Sequence, residues 1–209
     1  MHAGVPDVKW IWRKRREAIP ADFNIAFVCR FCHNVMKYYV NGDKTMAEYW
    51  DLYDADRKPL GRTIKRGDAF AEGEYYVCCE IWIQNSEGKF LMTQRHPDKK
   101  AGGLWEFTGG GVLAGETTKQ AAVREVQEEI GLQIEESELA LLEVYQHKNY
   151  FMDIFVVKSD IDITALVLQL EEVVDAKWVS DEELLRMIKE KQLVWSVGLR
   201  YGQYRELRG

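Results

Sequence analysis

The sequence predicts an α/β fold in which a mixed β-sheet is covered by helices on both faces. Short segments rich in β-branched and aromatic residues are interspersed with helical segments along most of the chain. One of these helices carries start and stop signals of its own, from Thr117 to Gly131. The composition, 46% apolar and 30% charged, is typical of a globular domain. We therefore expect an α/β domain over residues 46–209, preceded by a different segment over residues 1–45.

Strands are predicted first. The strand Tyr49–Asp54 is followed by a turn at 56–61, because Pro59 and Gly61 mark chain reversal. The apolar segments 75–84 and 89–95 flank Asn-Ser-Glu-Gly, a hairpin loop. A short strand from Trp105 then enters a glycine-rich turn, which ends at Gly111.

The second half of the domain continues the alternation. Strands are expected at 139–147, 150–158 and 176–179. Ser180 precedes three acidic residues and predicts the N-cap of a helix that ends near Lys191. A last helical segment is plausible at 196–206.

The helix after Thr117 is the most informative part of the chain. Thr117 and Gln120 have the spacing of a capping box, and Gly131 suits a left-handed C-terminal cap. On a 3.6-residue period, apolar residues such as Val126 and Ile130 share one arc. The neighbouring arc, about 100° wide, carries three carboxylates, Glu125, Glu128 and Glu129.

Three carboxylates on one arc are what a divalent-cation site needs, although this pattern taken alone is more often a solvent-exposed face. Like charges at these spacings repel one another, whereas hard divalent ions prefer oxygen ligands. The alternative is an acidic face exposed to solvent, which is the usual explanation of a charged helix face. Arg124 stands four residues before Glu128, so its guanidinium can hold that carboxylate and reach back toward Glu116.

The window from Gly110 to Leu132 resembles the signature of the Nudix hydrolase family at every fixed position. Gly110 is followed after five residues by Glu116, and seven residues later by Arg-Glu-Val-Gln-Glu-Glu-Ile-Gly-Leu. The flanking residues decide against the merely acidic face. The resemblance implies a Nudix α/β/α sandwich with a loop-helix-loop catalytic motif, and hydrolysis of a nucleoside diphosphate linked to another group X. It also implies Mg²⁺, with Mn²⁺ as a possible substitute.

The resemblance assigns roles to residues in this window. It implies metal ligation by the glutamates of the helix and by the carbonyl of Gly109, with catalytic roles for Glu128 and Glu129. Arg124 would orient these side chains, while Gly110, Glu116 and Gly131 would be structural. Thr108 stands where the family usually has proline.

Outside the window, the predictions concern a base and the substrate. Nudix enzymes often take a further carboxylate from a loop, and Glu172, next to Glu171, is the best candidate here. Arg95 could bind a phosphate, and Trp105 could stack on a base. For the two aromatic candidates, Trp105 and Tyr75, an ordinary core position is the more frequent alternative.

Two other functions remain as alternatives. Isopentenyl diphosphate isomerase has a similar layout, but its cysteine and histidine are missing from the segment Glu106–Gly111, so proton transfer would lack its acid and base. A nucleotide-binding or regulatory module of the same fold would usually lose a glutamate of the signature. Because every one is retained, the enzyme is favoured.

Residues 1–45 hold eight Lys and Arg against four Asp and Glu. We expect this basic extension to be peripheral or disordered. Either native translation starts at Met36 or Met46, or the segment is a family-specific extension that packs on the sheet or on a second subunit, and limited proteolysis would separate the two. Cys29 and Cys32 have a CxxC spacing, which we interpret as free thiols in a reducing compartment. We expect a cytoplasmic protein with a small-molecule diphosphate substrate, no nucleic-acid partner and no membrane span; a homodimer is possible.

Overall fold

The computed structural model of the chain describes residues 47–207. The chain divides between Met46 and Ala47 into two units, and the second contains all of the elements below. The predictions for the basic extension and for Cys29 and Cys32 lie outside the described residues.

Nine strands and three α-helices form the described part of the chain. The strands are β1 (Tyr49–Tyr53), β2 (Pro59–Lys65), β3 (Tyr76–Gln84), β4 (Phe90–Arg95), β5 (Trp105–Glu106), β6 (Thr108–Gly111), β7 (Ala140–His147), β8 (Tyr150–Lys158) and β9 (Val173–Val179). The helices are α1 (Thr118–Ile130), α2 (Asp181–Lys189) and α3 (Trp195–Glu206). Two single-turn 3₁₀ helices lie at Glu136–Glu138 and Ile163–Ala165.

Seven of these strands form a mixed sheet with β3 at its centre. The order is β5-β4-β3-β8-β7, while β6 also pairs with β3 and β9 with β4. The β3–β8 pair is parallel over its whole length, and the other pairs are antiparallel. Strands β1 and β2 form a separate two-stranded hairpin.

Each face of the seven-stranded sheet has its own core. Successive residues of a strand point to opposite faces, so β3 places Val77, Cys79 and Ile81 in the cluster that packs against α1. It places Trp82 in the other cluster, together with residues of α2 and α3 such as Leu184. The predicted α/β fold with helices on both faces is confirmed.

On the α3 side, an ion pair is enclosed by the core. The Arg200 guanidinium binds the Glu80 carboxylate of β3, with both side chains about 95% buried. The indole N–H of Trp82 donates to the same carboxylate at 2.8 Å. Because burial of either charge alone would be costly, this network ties α3 to the centre of the sheet.

The strand β2 is where sequence and structure differ most. The sequence predicts a turn over residues 56–61. In the structure the turn ends at Lys58, and the residues from Pro59 onward pair with β1. Almost every residue of β2 is exposed, so no apolar alternation marks it as a strand. None of the helices found within residues 47–207 is both long and apolar enough to cross a membrane.

Candidate active site

Helix α1 is fixed at both ends and along one side. Thr117 and Gln120 form the predicted capping box, and Gly131 ends the helix at φ 69°. Val126 and Ile130 are fully buried in the core on one side of the sheet. The helix therefore presents its acidic arc from a rigid position.

Arg124 joins the turn before the helix, the glycine segment β6 and the acidic arc. Its guanidinium makes a two-pronged contact with Glu116, at 2.9 and 3.0 Å. It also donates to the carboxylates of Glu125 at 2.8 Å and Glu128 at 3.2 Å, and to the carbonyl of Gly111 at 3.1 Å. Burial alone would lower the pKa of Arg124, but these carboxylates raise it, so the guanidinium stays charged.

Glu125 lies directly against the glycine segment. A methyl group added at Gly110 would stand 2.3 Å from the Oε1 atom of Glu125, so only glycine leaves room for this carboxylate. Gly109 is equally close to the backbone of β3, where an added methyl would stand 2.3 Å from the carbonyl oxygen of Cys79. The two glycines thus serve different contacts, one with a side chain and one with a neighbouring strand.

The three glutamates of the arc differ sharply in burial. The Glu128 side chain is 45% exposed, and Arg124 holds it at the rim. Glu129 is only 6% exposed, and within residues 47–207 no side chain donates a hydrogen bond to its carboxylate or pairs with it. Burial raises the pKa of Glu129 well above its usual value, and the negative charge of Glu125 raises it further.

Two loops add further charged groups near Glu129. The charges of Glu106 and Glu172 raise its pKa, whereas Lys99 lowers it. Lys99 itself pairs with the Glu172 carboxylate. Glu106, at the end of β5, pairs with Arg95 at the end of β4.

We call Glu106, Glu125, Glu129 and Glu172 the carboxylate cluster. Sequence reasoning missed Glu106 and did not foresee the pairing of Lys99 with Glu172, because both depend on loops far apart in the chain. The only available signal was their position beside the predicted strand and glycine turn.

The residues fit a divalent cation in their chemistry, although they do not form a closed cage. Among residues 47–207, no three His, Cys, Asp or Glu side chains stand close enough together to make one. All of the candidate donors are oxygen atoms, as Mg²⁺ and Mn²⁺ prefer. The buried Glu129 carboxylate, with no cationic partner among residues 47–207 and other carboxylates near it, is the kind of group that a cation would stabilise.

The two predicted substrate-binding residues have partners within the protein. The Arg95 guanidinium also donates to the carbonyl of Lys100 at 2.9 Å, in addition to its pair with Glu106. The Trp105 ring is half-buried, and the Lys177 ammonium lies 4.5 Å from its centre. Direct contact with a substrate would require these partners to be exchanged. Tyr75, the other aromatic candidate, packs against Phe151 in the core.

The β1–β2 hairpin is attached to the same site. The backbone N–H of Ala114 donates to the carbonyl of Tyr49, and that of Gly115 donates to the carboxylate of Asp51, both at 2.8 Å. The indole of Trp50 packs on Gly111, where an added methyl would meet its nitrogen at 2.5 Å. The hairpin is therefore held against the turn that precedes α1.

Comparisons with known proteins agree with this fold. A sequence model described as the NUDIX domain matches residues 77–196. An uncharacterized Nudix hydrolase of Listeria monocytogenes is 38% identical over 139 residues, which cover 66% of this chain and 82% of the relative. The CTP pyrophosphohydrolase of Escherichia coli is 45% identical over 51 residues, 24% of this chain and 38% of that protein. The crystal structure of DR0079 from Deinococcus radiodurans superposes with a TM-score of 0.63 at 22% identity, covering 76% of this chain and 98% of that one.

Proposed function

The chain belongs to the Nudix hydrolase family, whose members act on pyrophosphate bonds, and we propose that it cleaves the diphosphate linkage of a nucleoside diphosphate joined to another group X. We further propose that the reaction depends on a divalent metal ion, Mg²⁺ in the first place. The short match to a CTP pyrophosphohydrolase supports a nucleotide as the substrate class.

The observation that carries this proposal is the environment of Glu129. An acidic side chain that is 94% buried, with no hydrogen-bond donor among the described residues, raises the free energy of the folded protein when it is ionised. Glu125 stands one helical turn away and adds repulsion. A divalent cation bound between these two carboxylates, beside the glycine segment, would offset this cost.

In this proposal, Glu125 and Glu129 of α1 and the carbonyl of Gly109 would hold the metal ion, and Glu128 would be a further ligand at the exposed rim of the site. When bound, the ion would neutralise diphosphate oxygens and lower the pKa of a water molecule. Arg124 positions the acidic side chains, because its Nη1 nitrogen donates to both Glu125 and Glu128 while the other two nitrogens of the guanidinium bind Glu116.

Glu172 is proposed as the residue that accepts a proton from the attacking water. The Lys99 ammonium pairs with it and holds it beside the cluster. Its side chain is 37% exposed, so it can reach a water molecule at the open edge of the site. The chain would thus separate the binding of the cation, deep in the site, from proton transfer at its edge.

The test is a panel of diphosphate compounds incubated with Mg²⁺ or Mn²⁺, in which the release of phosphate and nucleotide is measured. The panel includes oxidised nucleotides, nucleoside diphosphate sugars, dinucleotides and an isoprenoid diphosphate, and labelled water locates the phosphorus that is attacked. Glu129→Gln keeps the shape of the side chain and removes the charge. We expect it to abolish turnover and to weaken Mn²⁺ binding, measured by calorimetry without substrate.

Glu190→Gln is the matched control, because Glu190 is an exposed glutamate at the end of α2. It should bind Mn²⁺ and turn over substrate as the wild type does. Turnover by Glu129→Gln within a few-fold of the wild type would rule out the proposed site. Binding of nucleotides by the wild type without any turnover would instead identify a binding module.

A further inference from the structure

The carboxylate cluster creates an electrostatic problem for a diphosphate substrate. The four acidic side chains of the cluster, together with Glu128 at the rim, repel the phosphates. A cation bound to the glutamates offsets part of this charge. The phosphate that lies farther from the glutamates still needs a positive group, and the chain has to supply it.

Three of the nearby cations are themselves largely buried and are paired with carboxylates of the site. Arg124 donates five hydrogen bonds and is 21% exposed. Arg95 is 19% exposed on Glu106, and Lys99 is 21% exposed on Glu172. Each of these side chains is needed to neutralise a carboxylate of the site.

Arg66 is the exception. Its side chain is 59% exposed, and its ion-pair partner is Glu48, itself 42% exposed, at an N–O distance of 2.7 Å. The guanidinium is nevertheless close enough to the site to interact electrostatically with its carboxylates. The hydrogen bond that Arg66 donates to Glu48 raises the pKa of Arg66 most, burial lowers it, and the charges of Glu48, Glu172 and Glu125 raise it further.

The hairpin holds Arg66 in this position. Arg66 directly follows β2, and its backbone N–H donates to the carbonyl of Glu48, which directly precedes β1, at 2.8 Å. The residues next to Glu48 are Tyr49 and Trp50, and they contact the turn and the glycine segment beside α1, as described above. The open end of the hairpin is therefore attached to the catalytic motif through adjacent residues.

We propose that Arg66 binds a phosphate group of the substrate and that Glu48 holds its guanidinium in place until the substrate arrives. The planar guanidinium can exchange one carboxylate for one phosphate, because both accept two parallel hydrogen bonds from it. The exposed ion pair with Glu48 contributes little to stability, so it is readily given up. This inference rests on the proposed function and adds a substrate-binding residue to it.

The test uses methylenediphosphonate, a diphosphate analogue that carries no group X and cannot be hydrolysed. Its dissociation constant is measured by calorimetry in excess Mg²⁺ for the wild type, Arg66→Gln, Arg66→Lys and Glu48→Gln. Arg66→Gln should weaken binding by roughly ten- to one-hundred-fold, the range for losing a hydrogen-bonded contact between charged groups. Arg66→Lys should fall between the wild type and Arg66→Gln, because an ammonium keeps the charge but not the fork.

Glu48→Gln separates a binding role from a structural one. If Arg66 binds phosphate, removing its competitor leaves the affinity unchanged or increases it. If the ion pair merely holds the hairpin in place, Glu48→Gln and Arg66→Gln should weaken binding alike, and that result would overturn the inference. Binding by Arg66→Gln within two-fold of the wild type would overturn it as well.

The kinetic constants give a second measurement. On the best substrate of the panel, Arg66→Gln should raise KM more than it lowers kcat, with an unchanged melting temperature. A wild type that cleaves nothing on the panel would contradict the proposed function, and the calorimetry would still decide the role of Arg66. An active wild type whose analogue binding is independent of Arg66 would contradict this inference alone.

Discussion

A single added methyl group should reduce activity at one of two adjacent glycines of β6 and stability at the other. Neither Gly109 nor Gly110 has a positive φ, so alanine is compatible with both backbones and acts through the space it occupies. At Gly109 the three atoms nearest to the added carbon are backbone atoms of β3, the first of them 2.3 Å away. At Gly110 the three nearest atoms are those of the Glu125 carboxylate, at 2.3 to 2.8 Å. Backbone in a paired strand moves only at the cost of strand pairing, whereas the end of a flexible side chain can move alone.

The magnitudes follow from these contacts. Since non-bonded carbon contacts are favourable at roughly 3.5 Å, Glu125 in Gly110→Ala has to move its carboxylate by about 1 Å. A misplacement of about 1 Å in a catalytic constellation can cost on the order of 100-fold in rate. In Gly109→Ala the β3–β6 pair has to separate instead, which we expect to cost about 1–3 kcal/mol of stability, as overpacking does.

The assay measures both quantities for each variant. Urea unfolding followed by tryptophan fluorescence gives the stability, and kcat/KM on the best diphosphate of the panel gives the activity. Gly202→Ala in α3 is the control, because an added methyl there has no atom within 4 Å among the described residues outside its own helical turn. It should be neutral or stabilising by up to about 1 kcal/mol, as alanine is favoured over glycine within a helix. The reasoning would be refuted if Gly110→Ala kept its activity within three-fold, or if it lost as much stability as Gly109→Ala.

Three further substitutions test other contacts. Arg124→Lys replaces five donated hydrogen bonds by at most three. Calorimetry should therefore show Mn²⁺ binding weaker by roughly 10–100-fold. Urea unfolding should show a loss of about 2–4 kcal/mol in the free energy of unfolding. Unchanged Mn²⁺ affinity would contradict its orienting role. Arg200→Met leaves the Glu80 carboxylate buried without its partner and should cost about 3–5 kcal/mol in urea unfolding; addition of Glu80→Gln should recover part of this loss, and no recovery would contradict the explanation. Trp50→Phe keeps an aromatic ring against Tyr76, 4.4 Å away, and removes an indole N–H that is buried without an acceptor in the described residues. Its free energy of unfolding in urea should stay close to that of the wild type. A loss of unfolding free energy as large as the roughly 3 kcal/mol expected for Trp50→Ala would show that the N–H has a partner.

The parts of the site that the sequence predicted depend on short-range rules. The capping box joins Thr117 to Gln120 within a single turn, and Gly131 ends the same helix. The contact of Arg124 with Glu128 is an i, i+4 pair that any helix creates. Interactions of this kind can be inferred wherever the helix itself can be inferred.

The parts that the sequence did not predict depend on the topology of the sheet. Lys99 and Glu172 are 73 residues apart, and they meet because β9 pairs with β4 and brings together the loops at the ends of these strands. The pairing of Arg66 with Glu48 required the strand β2, which has no apolar pattern and was not predicted. An exposed strand is stabilised by its backbone partner rather than by its side chains, so composition and periodicity carry little information about it.

These two groups of interactions have complementary effects on the acidic site. Local rules fix α1 so firmly, through its two caps and its buried face, that Glu125 and Glu129 cannot move apart to reduce their repulsion. The long-range contacts then place positive charge on the surrounding carboxylates, with Lys99 on Glu172 and Arg95 on Glu106, and leave Glu129 without a partner among residues 47–207. Negative charge is thus neutralised around the centre of the site but not at the centre itself. In the proposed mechanism the divalent cation occupies this centre, because no side chain among residues 47–207 pairs with the Glu129 carboxylate while the surrounding carboxylates already have cationic partners.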